Sequence, residues 1–216
     1  MLSSISGIHR HIRNTFNALL SKIFKKKPDM KLGLYGPVNA GKTTLANRIC
    51  LDWLGEELGK ASVIPHETRE IQIKEKVTMN HNGKSLNFNL VDTPGIATKI
   101  DFEDFLKYGM KKKESKQRAK EATKGVIESI KWLDKMDLVL VVIDSTQDPI
   151  NQVNITLLGN LDARKTPVII VGNKIDLKKS NLKRVREAFP QYEVIGISAK
   201  NDKNMKELYA QLFKKL

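Results

Sequence analysis

A chain of 216 residues, 40% hydrophobic and 29% charged, is long enough for one domain with a sizeable core and a short appendage, and too short for a large multidomain assembly. Its 38 basic against 24 acidic side chains leave a charge of +14, an excess that favours anionic partners such as RNA, a ribosomal particle or a lipid head-group surface. The single cysteine, Cys50, excludes an internal disulfide and predicts a reduced, cytoplasmic setting; no apolar run nears the about 20 residues that cross a bilayer, no secretory leader is expected, and Leu2 excludes N-myristoylation.

Residues 1–28 read as a basic amphipathic helical extension. Ile5, Ile8, Ile12, Phe16, Leu19, Leu20, Ile23 and Phe24 recur at three- and four-residue spacing, and six basic side chains accompany them with no acid. Pro28 ends or kinks the helix. Three roles stay open for it: lying on an anionic membrane surface as a peripheral attachment, docking on its own domain or a partner, or covering an exposed face. His9 and His11 lack metal-ligand spacing and read as polar-face residues.

From residue 29 to residue 216 the pattern alternates between strands and helices. Residues 31–35 form a short strand that runs into a glycine loop, and residues 43–54 a helix. Ile71, Ile73, Val77 and Met79 share one face of a period-two segment, broken by Glu75; Leu86, Phe88 and Leu90 alternate with asparagines in the next. Asn82-Gly83 between them is a hairpin turn signal. Residues 138–143, 168–171 and 194–197 are unbroken apolar runs, as expected of strands buried on both faces. Helical patterns lie near 114–135, 150–162, 180–188 and 203–215, with Trp53, Trp132 and Met136 read as core. One hairpin plus parallel strands with crossover helices predicts an α/β fold with a mixed, mostly parallel sheet flanked by helices.

Four short motifs carry chemistry, each at the C-terminal end of a predicted strand. Gly36-Pro37-Val38-Asn39-Ala40-Gly41-Lys42-Thr43 fits G-x-x-x-x-G-K-[ST] between a strand and a helix. Small residues let backbone N–H groups wrap phosphates at the helix N-terminus, Lys42 bridges the β- and γ-phosphates, and the Thr43 hydroxyl ligates Mg²⁺, with Thr44 beside it. Asp92-Thr93-Pro94-Gly95 supplies a carboxylate that can hold Mg²⁺ through water and, at Gly95, an N–H for the γ-phosphate; by itself it would be an ordinary turn. Asn173-Lys174-Ile175-Asp176 places a buried carboxylate that accepts from N1–H and N2–H of guanine, a donor pair adenine lacks. Ser198-Ala199-Lys200 offers a backbone N–H to guanine O6. Ligands bind at this edge of such sheets.

On these four motifs the chain resembles the G domain of Era-like GTPases, in the TrmE–Era–EngA group of translation-factor-related P-loop GTPases. The likeness covers about residues 30–216; residues 1–28 lie outside it, and it is not expected to extend to the RNA-binding KH domain of Era. It implies a small-GTPase-like P-loop fold, binding of GTP and GDP with Mg²⁺, and a switch in RNA or ribosome maturation. It also implies a switch I threonine that closes over Mg²⁺, carried over to Thr68 with Ser62 as the weaker substitute. Asn39 resembles the asparagine that ligates K⁺ in some relatives; a loop asparagine capping local backbone is the plain alternative. The catalytic set is then Lys42, Thr68, Gly95 and Asn39. Ile96 stands where Ras-like GTPases place the water-orienting glutamine, which predicts slow intrinsic hydrolysis. Glu67, Asp101, Glu103 and Asp104 are candidates to orient water, with nothing to choose among them. A GTP-dependent homodimer stays open, as do two other functions: a membrane-surface switch using residues 1–28, and a scaffold that binds nucleotide without turnover.

Residues 107–124 hold eight basic against two acidic side chains directly after the second motif. Such a run can meet RNA phosphates in a nucleotide-gated way, or be a solvated, mobile loop.

Overall fold

The computed structural model describes residues 30–59, 66–81 and 84–214; the expectations for residues 1–28, Ser62 and the Asn82-Gly83 turn lie outside these. Six strands form one sheet: β1 (Lys31–Tyr35), β2 (Gln72–His81), β3 (Lys84–Asp92), β4 (Leu138–Asp144), β5 (Val168–Asn173) and β6 (Val194–Gly196). Their order is β2-β3-β1-β4-β5-β6. Only the β2–β3 pair is antiparallel, so the sheet is the mixed, mostly parallel one expected. The helices are α1 (Lys42–Leu54), α2 (Phe102–Leu106), α3 (Lys112–Trp132, continued by a 3₁₀ turn over Leu133–Lys135), α4 (Gln152–Ala163), α5 (Leu182–Ala188) and α6 (Met205–Lys214). The five-residue α2 has too few apolar positions to show a period in sequence.

β4 and β5 are buried along nearly their whole length because helices cover both sheet faces. On one face Leu32, Leu34, Leu140 and Val171 meet α1 and α6; on the other Tyr35, Val139, Val141 and Ile170 meet the α4 face of Leu157, Leu158 and Leu161. Trp53 packs on the first core and Trp132 and Met136 belong with the second, as read from their helical pattern.

The face assigned to β2 needs correction. Lys74 pairs with Leu90 but Val77 pairs with Phe88, so Glu75 and Lys76 together oppose Asn89. This β-bulge inserts one residue, and Lys76 takes a φ of 56° with its N–H donating to Asn89 Oδ1 at 3.0 Å. An inserted residue inverts the alternation. Val77 and Met79 are fully buried on the α1 side, whereas Ile71 packs against the opposite core and Ile73 is 39% exposed.

Candidate functional site

The parallel strands end at one edge of the sheet, and the register brings their loops together. Leu34 lies beside Asp92, Tyr35 beside Val141, and Asp144 beside Asn173. Between these loops runs a cleft of about 540 Å³. The four motifs read from sequence converge on it. Asn39, Gly41, Lys42, Thr43, Thr44, Thr68, Gly95, Asn173, Lys174, Asp176, Ser198 and Lys200 line it, while Ala40, Asp92 and Ala199 are buried behind its wall.

The loop before α1 holds its shape through backbone that most residues resist. Asn39 has φ 60° and Gly41 φ 97°. A Cβ at Gly41 would sit 2.2 Å from Asn173 Nδ2, so position 41 admits only glycine without displacing Asn173. Asn173 is the strut of the site: its Nδ2 donates to Ala40 O at 2.9 Å and its Oδ1 accepts from Ala199 N at 3.1 Å. One side chain thereby ties the lysine-bearing loop to the last motif.

The Lys42 ammonium is buried and donates to Gly36 O at 3.2 Å and Pro37 O at 2.8 Å. Burial lowers its pKa to about 8, against the pull of the Asp92 charge. Two neutral carbonyls are weak partners for a buried cation, so the group is held ready for an anion entering the cleft.

Asp92 is fully buried. Its Oδ2 accepts from Thr43 Oγ1 at 2.6 Å, and that hydroxyl lies 2.8 Å from Thr68 Oγ1. Its Oδ1 has no hydrogen-bond partner. A buried carboxylate oxygen left unpaired beside two hydroxyls is the donor set of a hard divalent cation, so these residues fit Mg²⁺. Burial raises the Asp92 pKa to about 6, opposed by the Thr43 bond and the Lys42 charge.

A raised folded-state pKa gives a stability contribution that is present below about pH 4 and lost as pH rises through about 6. The nucleotide-free Asp92→Asn protein is therefore expected to match the wild type near pH 4 and to be more stable at pH 8, by roughly 1–3 kcal/mol. Thermal unfolding at the two pH values checks this; a D92N protein no more stable than the wild type at pH 8 would contradict it.

At the other end of the cleft, Lys174 has φ 66° and its Nζ donates to Asp144 Oδ2 at 2.7 Å. Burial pushes the Asp144 carboxyl up, but the bonds from Lys174 and Thr146 outweigh it and hold the group below the usual carboxylate range. Asp176 departs from the buried carboxylate expected. It is exposed, and its Oδ2 accepts from Asn201 Nδ2 at 3.0 Å. Its burial has to come from whatever stacks into the cleft.

Sequence reasoning missed three participants. His66, 7% exposed with φ 56°, lines the cleft beside Thr68; burial, then the charges of Lys42 and Arg118, lower its pKa to about 4. Arg118, counted in the basic run, is instead buried and pairs with Glu67 at 2.7 Å. Asp144 was an anonymous strand end. The run itself is mostly the helix α3, not a loop. Among the suggested water-orienting residues, Glu67 is thus engaged by Arg118, Asp101 caps α2 through Glu103 N, and Asp104 pairs with Lys107. Ile96 packs on the core below the cleft and does not line it.

A family model described as "50S ribosome-binding GTPase" matches residues 31–174. Among curated proteins, GTPase Era of Geotalea daltonii is 30% identical over 173 residues, covering 78% of this chain and 49% of its own length. GTPase Der of Persephonella marina is 29% identical over 202 residues, with 87% and 39% covered, and tRNA modification GTPase MnmE of Heliobacterium modesticaldum is 29% identical over 177 residues, with 81% and 32% covered. The chain therefore spans about half or less of the curated relatives it matches. Two solved structures share the fold: Aquifex aeolicus Era bound to GDP and AlF4⁻ (TM-score 0.64, 24% identity, 86% of this chain and 56% of that one), and Era in complex with MgGDPNP and nucleotides 1506–1542 of 16S ribosomal RNA (TM-score 0.66, 22% identity, 87% and 56%).

Proposed function

Because the chain belongs to the 50S ribosome-binding GTPase family, alongside Era, Der and MnmE, we propose that it binds GTP in this cleft, cleaves it to GDP and phosphate, and acts as a switch on RNA or a ribosomal particle. Residues 29–216 are then its G domain. The observation that carries the reading is the meeting of Lys42, Thr43, Thr68 and the unpaired Asp92 oxygen at one end of a cleft whose other end holds Asp176.

Lys42 Nζ exchanges the carbonyls of Gly36 and Pro37 for β- and γ-phosphate oxygens, a charge-assisted contact in place of neutral ones. The Thr43 and Thr68 hydroxyls and the Asp92 carboxylate would hold Mg²⁺, which would supply positive charge to offset that of the phosphates. Asp176 exchanges the Asn201 amide for N1–H and N2–H of guanine. Water attacks the γ-phosphorus, the bond to the β–γ bridging oxygen breaks, and Lys42 stabilises the charge that gathers there; the water's protons leave with the phosphate. Ile96 contributes no polar atom to this step. Asn39, on the lip of the cleft, would lend its side-chain oxygen to K⁺.

The RNA or ribosome reading is supported by the family description and by the solved Era complex, which contains 16S ribosomal RNA. The test is single-turnover cleavage of GTP in K⁺ and in Na⁺, with co-sedimentation of the GTP-analogue and GDP forms with purified ribosomal subunits. Faster cleavage in K⁺ and analogue-dependent sedimentation are expected. No cleavage in either salt would leave a nucleotide-binding scaffold instead.

A further inference from the structure

We propose that the outer face of α3 is a nucleotide-gated docking surface for the phosphate backbone of RNA; this rests on the RNA reading above and names the surface that serves it. The charges of α3 are sorted into columns. Lys113, Lys116, Lys120, Lys124 and Lys131 recur at three-, four- and seven-residue steps, so they share one side of the helix, and all are exposed. They span about 27 Å at 1.5 Å per residue. None enters an ion pair among the described residues, although Lys116 lies over the Phe102 ring at 5.5 Å. Glu114, Glu121 and Glu128 recur every seven residues and form the adjoining column; although Glu121 and Glu128 lie three or four positions from Lys124 and Lys131, Glu121 pairs with Arg69 and Glu128 accepts from Trp132 Nε1 instead. A solvated helix with mixed charges gains from alternating them along a face, whereas a column of unpaired lysines repels itself and is relieved by a polyanion. The column holds one apolar interruption, Ile127, where a bilayer-binding helix needs a broad apolar face. Phosphates, not acyl chains, match it.

The gate is the underside of the same helix. Its buried residues are Ser115, Arg118, Ala122, Gly125 and Ser129, with no large apolar side chain among them. What fastens it to the switch is polar. Arg118 pairs with Glu67 at 2.7 Å, Arg69 with Glu121 at 2.7 Å, and Gly125 packs so closely on the Arg69 carbonyl that a Cβ there would come within 2.5 Å. Glu67 and Arg69 are the two neighbours of Thr68, whose hydroxyl touches Thr43. Thr68 cannot leave the phosphate end of the cleft without carrying both ion-pair partners of α3 with it. The position of the lysine column is thereby tied to the nucleotide.

The test uses the full chain and a fluorescein-labelled 20-nucleotide RNA of mixed sequence, read by anisotropy over a salt series in the GTP-analogue and GDP forms. Vesicles of equal phosphatidylglycerol and phosphatidylcholine serve as a second arm. Binding at least tenfold tighter in the analogue form is expected. The K113Q/K120Q/K124Q variant should lower the slope of log affinity against log salt by about 2, while K113R/K120R/K124R binds as the wild type and both cleave GTP at the basal rate. Wild-type RNA binding that survives the glutamine variant overturns this inference alone, as does equal binding in both nucleotide states or loss of vesicle binding only. Wild-type protein that binds no RNA in either state overturns the RNA reading beneath it as well, leaving GTP cleavage standing.

Discussion

Lys42→Ala is expected to weaken GTP binding about 100-fold and to slow single-turnover cleavage by a further 10²–10³. A charge-assisted hydrogen bond to phosphate accounts for the first figure, and the loss of a preorganised donor where transition-state charge collects accounts for the second. The nucleotide-free variant should nevertheless keep its unfolding temperature at pH 7 within a few degrees. The Lys42 pKa is lowered, so this group stabilises the fold only above about pH 10.5 and loses that contribution as pH falls through about 8. At pH 7 its buried positive charge costs stability, and alanine removes that cost while losing the packing of the lysine stem. Nucleotide affinity, cleavage and thermal unfolding measured on one preparation check this. A variant that loses activity only because it unfolds would contradict it.

Asp176→Asn is expected to change which base is accepted. The carboxylate offers two acceptors to N1–H and N2–H of guanine; an amide keeps one acceptor and turns a donor toward N2–H, which repels it. Loss of two charge-assisted bonds corresponds to roughly 10²–10⁴ in GTP affinity. Xanthine carries an oxygen where guanine carries the N2 amine, so the same variant should bind xanthosine triphosphate more tightly than the wild type does. Competition of the two triphosphates against a fluorescent analogue reads both changes. The exposure of Asp176 and its bond to Asn201 favour this outcome, because the side chain is held by one exchangeable partner and not by the core.

Most of the fold and the placement of the four motifs were legible because local signals agreed with the global arrangement. The runs at 138–143 and 168–171 are uniformly apolar, glycine and lysine follow a strand and open a helix, and each motif ends a strand, so a parallel sheet has to gather them. The misread parts depend on pairs far apart in sequence. The bulge at Glu75 and Lys76 exists only in register with Asn89, and it alone decides that Ile71 and Val77 face opposite ways. Arg118 looked like one more surface cation until Glu67, 51 residues away, met it. Asn173 could be assigned to a base-reading motif, yet its two struts to Ala40 and Ala199 depend on how three loops meet. His66 carries no motif, and its signal is a left-handed backbone and burial, neither visible in a single sequence.

The same charges link function to stability. Lys42 and Asp92 are each shifted away from their charged form by burial, and a bound triphosphate with its cation offers each an opposite charge. By mass action, nucleotide should raise the unfolding temperature by an amount set by its concentration relative to its dissociation constant.

The central claim is that a guanosine triphosphate lies with its phosphates on Lys42 and its base on Asp176. Isothermal calorimetry of the purified full chain with GTP, GDP and ATP in Mg²⁺ and K⁺ tests it most directly. Saturable one-to-one binding of GTP and GDP, with ATP at least 10²-fold weaker, is the predicted result; no heat of binding with GTP, or ATP bound as tightly as GTP, would contradict it.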